Sequence, residues 1–179
     1  MDKQIQVKDL TFNLFITEEK IQQRVKELGQ EIATQFKDQT PLFIGILNGA
    51  FIFMADLIRA CPIAVEVTFM KVQSYEGLQS TGTVSTQIGL QQDIKGRAII
   101  LVEDIIDTGT TLYHLLPDLQ KLGPSSISLV SLLVKPTALK YPLVIDYKGF
   151  EIPNKFVIGY GLDYKEQARN LSSIYQLKE

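Results

Sequence analysis

The chain has 179 residues, enough for one domain with a real hydrophobic core. Apolar residues make up 45% and charged residues 21%, close to soluble globular averages, which excludes disordered, collagenous and coiled-coil classes. Eighteen basic against 20 acidic residues give a formal charge of −2, which offers no clustered basic footprint for nucleic acid.

Residues Thr17 to Phe36 read as a helix, because Ile21, Val25, Leu28, Ile32 and Phe36 recur every three or four positions. Thr17 suits the N-cap, and Glu18 and Glu19 suit the positive end of the helix dipole. The run Leu42 to Leu47 reads as a buried strand closed by Asn48-Gly49, and a helix is expected over Ala50 to Ala60. From Ile63 to Phe69 apolar residues alternate with Ala64, Glu66 and Thr68, the pattern of a half-buried strand. Ser74 to Gln92 is polar, carries only Glu76 as a charge, and reads as a long loop of the kind that forms lids.

Ala98 to Val102 is a second apolar strand, expected to end at Glu103-Asp104, with a helix beginning near Thr110 and kinked or broken at Pro117. Ile127 to Val134 is a third strand, with Lys135 at its end. Leu143 to Ile145, Phe156 to Tyr160 and Ile174 to Leu177 are shorter strand candidates. Strands alternate with helices and three of them are apolar without alternation, so the expected class is α/β with a central parallel sheet flanked by helices. No run reaches the ~20 apolar residues that span a bilayer. The first ten residues lack the apolar core of a signal peptide, and the lone cysteine, Cys61, fits a reducing compartment. A cytoplasmic location is therefore expected.

Ligands bind beyond the carboxyl ends of parallel strands. The segment IILVEDIIDTGTT, Ile99 to Thr111, places Glu103, Asp104 and Asp107 there, three acids that would repel one another without a cation or a polyhydroxylated ligand. Thr108, Gly109, Thr110 and Thr111 follow, with hydroxyls and free N–H groups at a helix start, which make a phosphate cradle. Together they describe a sugar phosphate site.

This segment resembles the phosphoribosyl-pyrophosphate (PRPP) motif of the type I phosphoribosyltransferases. SLLVK ending at Lys135, KFVIGYGLDY from Lys155 to Tyr164, and Arg169 further resemble the hypoxanthine-guanine members of that family. The resemblance extends from about Leu42 to Leu171. It implies a single phosphoribosyltransferase domain over 1–179, with a core of about 17–147 and a small hood built from 1–16 and 148–179. It also implies a homodimer or homotetramer.

By the same resemblance, Glu103 and Asp104 hold the ribose hydroxyls and help position Mg²⁺, and Asp107 works as general acid/base at purine N7. Thr108, Gly109, Thr110 and Thr111 hold the 5′-phosphate. Lys135 donates to the 6-oxo group, Phe156 stacks on the purine, and Val157 offers backbone groups to its edge. Asp163 stands at the purine and binds a second Mg²⁺. Arg169 and the Asn48-Gly49 turn hold pyrophosphate, and Ser74-Tyr75 belong to a closing loop. Many relatives carry lysine where this chain has Asn48, which removes a charge from the pyrophosphate contact. The implied activity joins PRPP to a 6-oxopurine base with no role for nucleic acid or membrane; an RNA-binding regulator on the same fold is the alternative.

Overall fold

The structure is a computed structural model that describes residues 3–73, 85–90 and 92–178. The expected loop segment at Ser74 and Tyr75 lies outside the described residues.

Near the N-terminus, β1 (Gln4–Val7) and β2 (Leu10–Ile16) form a hairpin. Helix α1 (Glu18–Gln35) follows, and the Thr17 hydroxyl caps it by accepting the Lys20 N–H. Ile21, Val25, Leu28 and Ile32 are its buried stripe. Then come β3 (Leu42–Leu47), α2 (Phe51–Ala60), β4 (Glu66–Gln73), β5 (Ser85–Ile88), β6 (Ala98–Ile106), α3 (Thr110–Lys121), β7 (Ser126–Val134), β8 (Tyr147–Glu151), β9 (Val157–Ile158) and β10 (Ile174–Leu177).

Six strands form the large sheet in the order β5-β4-β3-β6-β7-β8. Five of them are parallel, and β5 runs antiparallel at the edge. Successive strand residues face opposite sides. In β6, Ile100 and Val102 join the core formed with α1 and α2, whereas Ile99 and Leu101 join the core formed with α3. Both faces are covered, which is why these strands read as unbroken apolar runs. The second sheet, β1-β2-β10-β9, is antiparallel and combines strands from both ends of the chain. Among the described residues, no helix is long and apolar enough to cross a membrane.

Several elements differ from the sequence expectation. β4 is shifted to Glu66–Gln73, because its parallel register starts at Leu42↔Glu66 and Glu66 N–H donates to Pro41 O. β6 does not stop at Val102 but continues to Ile106, held by pairing to β7 through Ile106↔Val134. α3 runs unbroken through Pro117. Burial of Leu112, Leu115 and Leu119 on both sides of the proline contributes ~5–9 kcal/mol, against ~3 kcal/mol for the interior proline. Leu143 to Ile145 is not a strand; Leu143 and Ile145 pack instead against the α3 core. The next strand is β8, which carries the large sheet to Glu151, past the expected core limit at 147. The strand expected over Phe156 to Tyr160 shrinks to Val157–Ile158, because Gly159, Tyr160 and Gly161 all take positive φ.

Candidate active site

The chain passes from β3 to β4 on one side and then returns to place β6 on the other side of β3. The crevice beyond the ends of β3 and β6 is therefore a topological switch point, where ligands bind in open α/β sheets. The antiparallel sheet stands over it and leaves a cavity of about 330 Å³. The turn after β3 supplies Asn48 and Gly49 to the wall, β6 supplies Asp104 and Ile105, the residue after it is Asp107, and Lys135 follows β7. Phe156, Val157, Leu162, Asp163 and Arg169 close it from the C-terminal segment.

The continuation of β6 to Ile106 puts Glu103 and Asp104 inside the strand, on alternate faces. Glu103 is buried opposite Ser131 and does not reach the cavity wall, whereas Asp104 does. Burial pushes the Asp104 carboxyl up to about 6, although the Ile105 N–H donated to it at 2.9 Å and the charge of Arg169 act the other way. Burial and the adjacent Asp104 charge push Glu103 up as well. Gly49 lies directly against Asp104, where a Cβ would stand 1.6 Å from Oδ2. No side chain other than hydrogen fits between that carboxylate and the β3 turn.

At the end of β6, Lys135 Nζ donates to Asp107 Oδ2 at 2.7 Å. The lysine stem is nearly buried while Asp107 is half open to the cavity. The Lys135 N–H also donates to Ile106 O, which ties the ends of β6 and β7 together. Beyond Asp107, the Thr108 and Thr110 hydroxyls are 3.0 Å apart. Gly109 takes φ 75° at the N-cap of α3 and provides no capping side chain. The Thr110 N–H donates to Thr108 Oγ1 at 3.4 Å, and the N–H groups that follow in the first turn of α3 have no intrahelical partner, as an anion cradle requires; Thr108, Gly109, Thr110 and Thr111 adjoin the cavity without lining it.

On the opposite wall, Phe156 is 43% exposed, with its ring 6.2 Å from Phe12 and 5.9 Å from Tyr164. An aromatic ring backed by two others and open on one face is a stacking platform. Val157 beside it is buried in the β9–β10 pairing. Arg169 Nη2 pairs with Asp163 Oδ1 at 2.7 Å, and Nη1 donates to Gly161 O at 2.8 Å. Asp163 Oδ2 accepts the Glu166 N–H. Arg169 and Asp163 thus reach the wall as a bound pair.

The structure brings Asn48, Gly49, Asp104, Asp107, Lys135, Phe156, Val157, Asp163 and Arg169 to one cavity. Reading the sequence missed Ile105 and Leu162, whose apolar side chains line it between polar neighbours. Their position next to motif residues was the available signal. A larger groove of about 930 Å³ adjoins on the far side of Arg169, between β1 and the start of α2. It has an apolar floor and no converging acids.

Among the described residues, no three His, Cys, Asp or Glu side chains gather to hold a metal alone. Adjoining hard carboxylates still suit a divalent cation that takes its other oxygens from a phosphorylated substrate, the usual arrangement for Mg²⁺.

Residues 16–165 match the phosphoribosyl transferase domain model. A hypoxanthine-guanine phosphoribosyltransferase of Bacillus subtilis is 45% identical over 92% of each chain. A bifunctional TilS/HprT protein of Listeria monocytogenes is 41% identical over 92% of this chain, which spans 26% of that longer protein. The crystal structure of a Staphylococcus aureus hypoxanthine phosphoribosyltransferase superposes with a TM-score of 0.89 at 40% identity, covering 93% of this chain and 91% of that one. With the parallel sheet, the overlying antiparallel sheet and the converging acids, this chain belongs to the phosphoribosyltransferase family and groups with its hypoxanthine-guanine enzymes.

Proposed function

We propose that the protein transfers the phosphoribosyl group of PRPP to N9 of hypoxanthine and guanine, forming the nucleoside monophosphate and pyrophosphate. The observation that carries this reading is the Lys135–Asp107 pair beside a helix start whose N-cap is glycine. The O6 and N7 atoms of a 6-oxopurine lie side by side on one edge. A donor-only ammonium 2.7 Å from a carboxylate matches that edge, with Lys135 to O6 and Asp107 to the N7 proton. Phe156 offers the stacking face, and Val157 offers backbone groups to the far edge of the ring.

In the reaction, N9 forms a bond to C1 of the ribose as the C1–oxygen bond to pyrophosphate breaks. The proton on N7 passes to Asp107, which leaves the nucleotide base neutral. The Thr108–Thr111 cradle holds the 5′-phosphate, and Asp104 faces the ribose hydroxyls, with Glu103 behind it on the other face of β6. Arg169 and the Asn48-Gly49 turn hold the departing pyrophosphate, where positive charge stabilises the developing oxyanion. A Mg²⁺ ion held by Asp104, with a second at Asp163, would neutralise pyrophosphate charge.

We read the chain as one domain whose hood takes both ends of the chain, as a homodimer or homotetramer, working in the cytoplasm. The single thiol, Cys61, is buried and suits that compartment. PRPP-dependent formation of inosine monophosphate from hypoxanthine tests the activity directly, and its absence with saturating Mg²⁺ overturns the reading. Sedimentation of the free protein tests the assembly.

A further inference from the structure

The turn Gly159-Tyr160-Gly161 takes positive φ at all three residues, 97°, 51° and 103°. For a bulky residue such as Tyr160, that conformation is strained and persists only where its surroundings fix it. The Tyr160 side chain is fully buried away from the cavity, and its hydroxyl donates to Asp56 Oδ2 at 2.6 Å. The same oxygen accepts Gln22 Nε2 of α1 at 2.9 Å, and the other pairs with Arg59 at 3.3 Å. Asp56 lies on α2, the helix that emerges directly from the Asn48-Gly49 turn.

Two contacts join this turn to the site. Gly161 rests on the main chain of Gly49, so closely that a Cβ would stand 2.1 Å from Gly49 O. Its own carbonyl receives Arg169 Nη1, while the Gly161 N–H donates to Arg169 O. Both walls of the proposed pyrophosphate subsite therefore meet at Gly161. We propose that the Tyr160–Asp56 hydrogen bond is the positioning device that fixes this meeting. It anchors the strained turn to α2, so that Asn48-Gly49 and Arg169 keep one spacing. The purine side is anchored separately, by the β6–β7 ends at Lys135 and by the β9–β10 pairing at Val157.

The inference rests on the assignment of this subsite to pyrophosphate. Its test is steady-state kinetics for both substrates, with amide hydrogen exchange on the ligand-free protein. Tyr160→Phe keeps the buried ring and removes only the hydroxyl. It is expected to raise KM for PRPP about tenfold while KM for hypoxanthine stays within twofold, the size of one charge-assisted hydrogen bond. Asp56→Ala should match it, and the double variant should be no worse than either single one. Asp56→Asn can place its amide oxygen where Oδ2 now accepts both bonds, so it should restore near-wild-type KM. In Tyr160→Phe, exchange should rise together in residues 47–52 and 159–163 and stay unchanged in β10. Should Tyr160→Phe not fold, the Asp56→Ala and Asp56→Asn pair decides by the same readouts. Equal shifts in both KM values, an unchanged PRPP KM, or exchange that rises across the whole antiparallel sheet would overturn the positioning role. A wild-type protein without PRPP turnover would instead overturn the substrate assignment, and the exchange result would still decide whether the bond couples the two walls.

Discussion

The ends of β6 and β7 carry charge in opposite ways. Glu103, buried, and Asp104, part-buried at the cavity wall, are like charges adjacent in sequence, and both are pushed toward the neutral form. Lys135 and Asp107 are opposite charges that satisfy each other at 2.7 Å without any ligand. The first pair is costly until a cation or a hydroxyl-rich ligand arrives. The second is satisfied at rest. On the proposed assignment, one half of the site demands its ligand and the other selects it.

The largest expected effect tests the demanding half. Stripping divalent metal with excess chelator should reduce turnover to background, since a metal ion contributes several kcal/mol to leaving-group stabilisation. Re-addition of Mg²⁺ should restore it. Full activity in chelator would show that the buried carboxylates meet the ribose alone.

The selecting half should discriminate by about 10⁴-fold in kcat/KM between hypoxanthine and adenine. Lys135 has only donors, and a 6-amino group would bring another donor against it. Similar kcat/KM values for the two bases would remove Lys135 from the 6-position. A further effect separates the two halves three residues apart, at Asp104 in β6 and Asp107 just beyond it. Asp107→Asn should lower kcat by about 10²–10⁴, because the amide cannot take the N7 proton, while PRPP binding changes little. Asp104→Asn should weaken PRPP binding instead. If both variants lose PRPP affinity equally, the division of labour between Asp104 and Asp107 fails.

The two regions also differ in how they could be read from sequence. The parallel sheet was legible because its strands are buried on both faces and its acids follow an apolar run. Of the antiparallel sheet, β9 and β10 were legible as short strand candidates, while its hood role was reached only through resemblance. Yet Leu10, Phe12, Leu14 and Ile16 alternate in β2, as Ile5 and Val7 do in β1, and that period of two was a local signal left unread. The extension of β6 through Glu103 and Asp104 was not legible. Acids rarely sit inside a buried strand, and only pairing to β7 keeps these two there. The contact of Gly49 with Asp104, and of Gly161 with Gly49, joins segments distant in sequence, so spacing alone could not show it.

The smallest effect concerns stability, and it follows from the same buried carboxylate. Asp104 holds its proton to about 6 in the native protein, against an ordinary value near 3.8. Between those values the unfolded chain has lost the proton and the native protein has kept it, so stability falls as pH rises through that window and stays lowered above it. Two pH units correspond to ~3 kcal/mol at most, and relaxation around the site reduces this to about 1–2 kcal/mol. In metal-free buffer at pH 7.5, Asp104→Asn should therefore raise the melting temperature by about 2–6 °C, even as it weakens PRPP binding. The asparagine oxygen can still accept the Ile105 N–H, so the gain isolates the charge. Near pH 4, where the native aspartate is neutral, the variant should lose its advantage. Thermal melts of both proteins from pH 4 to 8 check this: a gain that persists at pH 4 would trace to packing, and no gain at pH 7.5 would show that the carboxylate is already compensated before any ligand binds.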